Sequence, residues 1–223
     1  GSSNFYSIGA GGVSPIPCYV WDKVFQNLDT DNQDNIRAWS NTPFNEVWWF
    51  YPSSDSVDGE NDSYVKLNTL YGIWDYGPLS RTAAIDQSVL GTPIAAGPTG
   101  LIYQHEIGYN DDGAPINSFF ESGYFSLSEG EDLVFTDWIL PDMKWNVVDE
   151  SAAAATVQIT FYATNYAGDT PMTYGPYNVT QATQFVNTRF RGRFAKIRIG
   201  SGDLGSFWRC GAVKVSSAQD GRR

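Results

Sequence analysis

The chain has 223 residues, enough for one large or two small domains that each bury a core of their own. Its formal net charge is −11, with 25 acidic and 14 basic residues, so its surface should repel nucleic acid and anionic membranes, and a sequence-specific DNA-binding protein is not expected. Aromatic residues make up 15% of the chain and 22 glycines supply turns, a composition that favours many short strands and predicts an all-β fold.

The first half of the chain is predicted to contain one short helix among short strands. Residues 9–17 form a loop rich in glycine and proline, after which apolar residues at helical spacing predict a helix near residues 19–28. A second such link is expected at residues 91–100. Six segments between turn residues are predicted as strands: 36–39, 46–51, 63–67, 72–76, 82–85 and 101–107. Their close spacing suits a partial β-propeller-like meander over residues 1–112.

The second half has longer strands. A polar turn cluster at residues 110–115 breaks the strand rhythm and marks a candidate domain boundary. Apolar and polar residues alternate at 156–163 and again at 195–199, which predicts strands with one core face and one wet face. We therefore expect an antiparallel β-sandwich over residues 113–223, ending in a polar tail at 220–223.

The residues offer little support for catalysis. The single histidine, His105, could serve as a general base, but the chain has neither a second histidine nor a Gly-x-Ser-x-Gly motif, so a structural histidine is favoured. A glycosidase needs two carboxylates about 5–10 Å apart, and the candidates Glu46, Glu106, Glu121 and Asp137 are not brought together by any sequence pattern. We therefore do not expect an enzyme.

Metal and thiol chemistry have equally weak signals. The polar run at residues 29–34 imitates the start of a calcium loop, but its sixth position is Asp34 instead of glycine and its twelfth is Ser40 instead of glutamate. A loop that ends the helix is favoured, and neither a metal nor another cofactor is expected. Cys18 and Cys210 are interpreted as buried thiols, with a disulfide between them as the alternative.

Arginines concentrate near one position of the predicted sandwich. Arg189, Arg191 and Arg193 surround Gly192, where the apolar parity shifts and implies a bulge or tight turn. In so acidic a chain their partners should be carboxylates of this chain or of a neighbouring subunit, with a phosphate site as the weaker alternative. Arg191 and Arg193, together with Arg209, are the candidate inter-subunit contacts.

Several stretches together resemble the C-terminal part of the tail nozzle, or tail tubular, proteins of short-tailed bacteriophages. The stretches that carry this resemblance cover most of the chain: PIPC (15–18), FNEVWWFYP (44–52), ENDSYV (60–65), LSRTA (79–83), YQHE (103–106), RGR (191–193), LGSFWR (204–209) and DGRR (220–223).

The resemblance implies a structural protein of the virion, assembled in the cytoplasm of the bacterial host. Such a protein forms a ring below the portal, extends the channel through which DNA is ejected, and contacts copies of itself and other tail proteins. DNA would pass without specific binding, and neither membrane insertion nor catalysis is implied. Members of this family are longer, with a propeller-like region completed by N-terminal sequence.

Two other readings stay open. A carbohydrate-binding or polysaccharide-depolymerising phage protein would use the aromatic run at residues 48–51, although core packing on both faces of one strand explains that run without a ligand and is favoured. A host lectin-like domain would use the glycosylation motifs at Asn61 and Asn178. A groove lined by two tryptophans and two carboxylates would favour the carbohydrate reading.

Overall fold

The computed structural model describes residues 3–87, 89, 91–128, 132–145 and 156–221. Strands account for 51% of the chain and helix for 5%, so the prediction of an all-β protein is confirmed. The chain divides into two compact units, Gly1–Ile107 and Gly108–Arg223. Within the described residues, no helix has the length and apolar character needed to cross a membrane.

The first unit contains three small antiparallel sheets. A hairpin of β1 and β2 comes first, the strands β3 to β6 then form a four-stranded meander in chain order, and β7 to β9 form a three-stranded meander. A four-stranded meander is the strand order of one propeller blade. The elements of the unit are β1 (Phe5–Gly9), β2 (Gly12–Ile16), α1 (Trp21–Phe25), β3 (Arg37–Asn41), β4 (Glu46–Tyr51), β5 (Ser63–Asn68), β6 (Ile73–Pro78), β7 (Ala83–Ile85), β8 (Ile94–Ala96) and β9 (Ile102–Gln104), with 3-10 turns at Gln33–Asn35 and Thr42–Phe44.

Strand β4 holds the first unit together because both of its faces are covered. Trp48 and Phe50 pack with Trp39 on one face, while Trp49 and Tyr51 lie in a second apolar cluster on the other. Aromatic side chains at successive positions of a strand point to opposite sides of the sheet. The aromatic run is therefore core, as the two-sided pattern predicted, and the carbohydrate-platform reading of it is wrong.

Two predictions for the first unit need correction. The helix spans only Trp21–Phe25, shorter than residues 19–28, because Leu28 leaves the helical path and forms an isolated β-bridge with Ser53. Strands β2 and β8 lie inside the stretches predicted as loops at 9–17 and 91–100. Backbone pairing with a neighbouring strand outweighs the weak strand propensity of glycine and proline there.

The second unit is a β-sandwich. A five-stranded sheet has the order β12–β19–β16–β17 with β13 also on β19, a three-stranded sheet has the order β18–β14–β21, and two-stranded pairs form between β10 and β11 and between β15 and β20. The elements are β10 (Asn110–Asp111), β11 (Ala114–Pro115), β12 (Ser118–Glu121), β13 (Phe125–Ser126), β14 (Val134–Leu140), β15 (Met143–Trp145), β16 (Val157–Thr164), β17 (Met172–Val179), β18 (Val186–Gly192), β19 (Phe194–Ser201), β20 (Trp208–Cys210) and β21 (Lys214–Gln219).

Alternating side chains from both sheets fill the core of the sandwich. Every second residue of β16 from Val157 to Ala163 is buried, and Phe161 meets Phe190 of the other sheet with ring centroids 4.9 Å apart. The predicted alternation is thus confirmed. The turn cluster at residues 110–115 forms the β10–β11 hairpin within the second unit. Of the predicted polar tail, residues 222–223 lie outside the described residues.

The parity shift near Gly192 corresponds to a corner between the two sheets. Strand β18 ends at Gly192 in the three-stranded sheet, and β19 begins at Phe194 in the five-stranded sheet. The register between β14 and β18 also slips once, next to Arg189, whose φ is +46°. One extra residue in left-handed backbone is the geometry of a β-bulge. A bulge or a tight turn was predicted at Gly192: the chain turns there, and the bulge lies three residues earlier.

Candidate functional site

A buried hydrogen-bond network joins three of the stretches that carry the resemblance, 60–65, 79–83 and 103–106. Asn61 is 2% exposed, and its amide Nδ2 donates to the backbone oxygens of Asn35 at 2.8 Å and Arg81 at 3.1 Å. This amide ties the loop before β5 to the chain that enters β7. Since it is buried, Asn61 is not accessible to glycosylation, which removes one of the two motifs behind the lectin-like reading.

Arg81 and His105 extend this network. The buried Arg81 donates from Nε to His105 Nε2 at 2.9 Å and from Nη1 to Ser80 O at 2.7 Å, and its guanidinium lies 4.1 Å from the ring centroid of Tyr103. The edge of the His105 ring meets Trp39, with centroids 5.5 Å apart. A histidine that accepts from a buried arginine and packs on a core tryptophan has a structural role here. Asn61 and Arg81 are buried, Tyr103 and His105 are half-buried, and we call these four residues the buried network.

Two of the four candidate carboxylates, Glu46 and Glu106, lie at the four-stranded sheet of the first unit. Glu106 accepts a hydrogen bond from Asn41 Nδ2 at 2.9 Å. Glu46 forms a salt bridge of 3.1 Å with Lys66 and accepts from Trp48 Nε1 at 2.9 Å. Both acids therefore have protein partners within their own sheet region. Sequence reasoning missed Lys66, which the register of β4 and β5 places near Glu46, and Asn41, whose contact with Glu106 depends on how the sheet packs against the chain after β9.

Glu106 has a perturbed carboxyl group. Partial desolvation raises its pKa, the Asn41 hydrogen bond lowers it, the negative charge of Glu46 raises it, and the charge of Lys66 lowers it. A raised carboxyl pKa near a second carboxyl group is a pattern found in general acids. Structural ion-pair networks produce the same pattern, and here each acid is held by a partner from a neighbouring strand.

Glu106→Gln is expected to make the protein at least as stable at pH 7 as the parent chain. A raised folded-state pKa means that the parent loses stability as pH rises from the unfolded value through the folded one. Glutamine keeps the acceptor for Asn41 and removes this titration. In thermal unfolding between pH 4 and pH 8, the melting temperature of the variant relative to that of the parent should increase as pH rises. A variant that loses stability at pH 7 would show that the charge itself is needed.

The other two carboxylates lie in the second unit and are also paired. Glu121 binds Lys196 at 3.0 Å and Arg198 at 3.5 Å, and the Lys196 hydrogen bond holds the pKa of Glu121 below its ordinary value. Asp137 lies 3.7 Å from Arg189 across the bulge. Glu121 and Asp137 thus face basic side chains in two different sheets, a placement that does not assemble a glycosidase pair.

A groove of about 440 Å³ lies at one edge of the sandwich. Among the described residues its walls include one tryptophan, Trp145, and one carboxylate, Asp142, with Lys144, Thr180 and Gln181. A glycan-cleaving site would place two carboxylates across such a groove. The carbohydrate hypothesis calls for a groove lined by two tryptophans and two carboxylates. The described lining of this groove contains one of each.

The calcium-like run folds back on itself. Asp29 accepts from the backbone N–H of Asp31 at 3.0 Å and from Asn32 Nδ2 at 2.7 Å, and the Asn32 bond lowers the pKa of Asp29. Across the described ranges, no three His, Cys, Asp or Glu side chains are grouped so that they could hold a metal ion. Cys18 and Cys210 are free thiols, each half-buried and each in a different unit.

The three arginines predicted as inter-subunit contacts have either a carboxylate or an aromatic ring as partner. Arg191 forms an ion pair with Asp220, and Arg193 lies 5.3 Å from the ring centroid of Tyr166. Arg209 lies 5.3 Å from the ring centroid of Phe207. A carboxylate of this chain is therefore a partner of Arg191, as expected, while aromatic partners were not anticipated for Arg193 and Arg209.

The sequence matches no known protein-family model, and no curated protein is significantly similar to it.

Proposed function

We propose that this chain is a structural component of a bacteriophage tail, a nozzle or tubular protein that forms part of a ring around the DNA channel. In this role the protein supplies a rigid scaffold and contact surfaces, and its acidic surface lets the DNA polyanion pass without binding. Its partners are copies of itself and other tail proteins, and its place is the virion tail.

The observation that carries this proposal is the role of the buried network. Three of the stretches that carry the resemblance, 60–65, 79–83 and 103–106, meet there: the Asn61 amide donates to the backbone oxygen of Arg81, and the Arg81 side chain donates to His105. A motif that serves substrate chemistry presents side chains to a cleft, whereas these side chains bind the backbone and side chains of their own unit. This is the use expected of motif residues in a scaffold protein.

The arginines offer the contacts between subunits that the proposal requires. Arg191 is more than half exposed despite its ion pair with Asp220. Its guanidinium can therefore also meet a carboxylate of a neighbouring copy, and Arg209 near Phe207 is similarly placed at the surface. Exposed ion pairs of this kind contribute specificity more than affinity.

The test is to find the chain in purified virus particles. Phage particles are produced in a bacterial culture that carries the gene for this chain in a phage genome. The particles are then purified by density-gradient centrifugation. Mass spectrometry should detect the chain at a fixed copy number per particle, and a gold-labelled antibody should bind below the capsid at the tail. Absence of the chain from particles that contain their other tail proteins would refute the proposal.

A further inference from the structure

The β1–β2 hairpin is fixed to the first unit at one end only. Phe5 is buried and lies between the rings of Trp49 and Trp74, at centroid distances of 4.8 Å and 4.7 Å. Trp74 Nε1 donates to Pro17 O at 2.8 Å and Trp21 Nε1 donates to Ser3 O at 2.7 Å. These contacts hold the base of the hairpin firmly against the aromatic cluster.

The rest of the hairpin presents an apolar face to solvent. The strand register places Ile8 opposite Val13 and Tyr6 opposite Pro15, and Ile8 and Val13 are 83% and 64% exposed. A Cβ atom added at Gly9, Gly11 or Gly12 would meet nothing within 4 Å, so the tip stands clear of the described atoms around it. Two exposed aliphatic side chains opposite each other at a projecting tip lower the solubility of the protein unless a partner covers them.

Among the described residues β1 pairs only with β2, so its other edge is open to further pairing. A two-stranded sheet leaves one edge of each strand without a partner. Strand β2 carries Pro15, which lacks an N–H and therefore disfavours pairing of a further strand along β2. Strand β1 carries neither a proline nor a charged side chain. An isolated two-stranded hairpin is also marginally stable in water, so an added strand would stabilise it.

The charge distribution indicates which partner fits this hairpin. Residues 1–21 contain no charged side chain, although the whole chain carries −11. Two copies of so acidic a chain repel one another over most of their surface, and the repulsion is smallest where one copy presents an uncharged element. A basic partner, in contrast, would be attracted to the acidic remainder of the surface.

We infer that the β1–β2 hairpin docks onto a second copy of this chain, through the free edge of β1 and the face formed by Tyr6, Ile8 and Val13. The choice of a second copy rests on the proposed function. Ring closure requires a heterologous contact, so the hairpin of one copy meets a different surface on the next. The apolar hairpin supplies affinity that the exposed arginine pairs do not.

The experiment measures self-association of the whole chain in about 1 M NaCl, where the Debye length is about 3 Å and exposed ion pairs are screened. Sedimentation equilibrium is recorded for the parent and for the double variant Ile8→Ser/Val13→Ser. The matched control is Val57→Ser/Val89→Ser, which removes two fully exposed valines elsewhere in the first unit. All proteins are checked for the same thermal unfolding, because substitutions at exposed sites rarely change stability by more than about 0.5 kcal/mol.

The hairpin variant should associate about 10- to 100-fold more weakly than the parent, and the control should match the parent. Amide exchange of β1 in the parent should also slow as protein concentration rises. A parent that stays monomeric up to about millimolar concentration, or a hairpin variant that associates like the control, would overturn the docking inference. Detection of the chain in virus particles is independent of both results, so the proposed function and the docking inference can fail separately.

Discussion

Asn61→Asp is expected to destabilise the first unit by about 3–5 kcal/mol at pH 7. The change is isosteric, so packing is preserved. Nδ2 of Asn61 donates to two backbone oxygens, whereas an ionised aspartate can donate to neither and would place a buried charge against both. Chemical denaturation followed by tryptophan fluorescence measures the loss, since Trp39, Trp48 and Trp74 lie in the cores of this unit.

The destabilisation should depend on pH in a definite direction. Burial beside two carbonyl oxygens raises the folded-state pKa of the introduced carboxyl, so the variant is most stable below pH 4 and loses stability as pH rises. Asn4→Asp, at an exposed position of the same unit, is the matched control and should unfold like the parent. A loss that does not change between pH 4 and pH 7 would contradict the assigned hydrogen bonds.

Local patterns predicted most of the fold because they reflect burial directly. The strands at β4 and β16 follow from two-residue alternation or aromatic runs, and the structure places them at the predicted residues within one position. The helix was predicted too long because Leu28 fits a helical period but pairs with Ser53. Strand β8 was missed because three apolar residues within a link rich in glycine and proline carry almost no periodic signal.

The candidate site was much harder to predict than the fold. Asn41 pairs with Glu46 across β3 and β4, yet its amide bonds Glu106, which lies 65 residues further along the chain. No local pattern encodes such a contact, because it depends on how sheets and loops pack together. The sequence assigns Asn61 a chemical role only as a glycosylation motif, and its burial reverses that interpretation.

The chemical character of the arginine corner was predictable, but its geometry was not. The parity shift around Gly192 indicated a bulge or turn, and both occur. Which carboxylate each arginine meets depends on the pairing of β14 with β18 and β21, whose partners are separated by about 50 and 80 residues along the chain. Sequence reasoning could therefore assign acidic partners to Arg191 without identifying Asp220.

Phe161→Ala is expected to destabilise the second unit by about 3–5 kcal/mol, because it leaves a cavity between the two sheets. Phe161 is 1% exposed, and its ring contacts that of Phe190 from the opposite sheet. Amide exchange of β16 and β18 together with chemical denaturation measures the loss. Phe185→Ala, which removes the same ring from an exposed loop, should cost less than about 1 kcal/mol. Equal losses for the two variants would mean that the sheets do not share the core described, since Phe161 lies in that core and Phe185 is exposed.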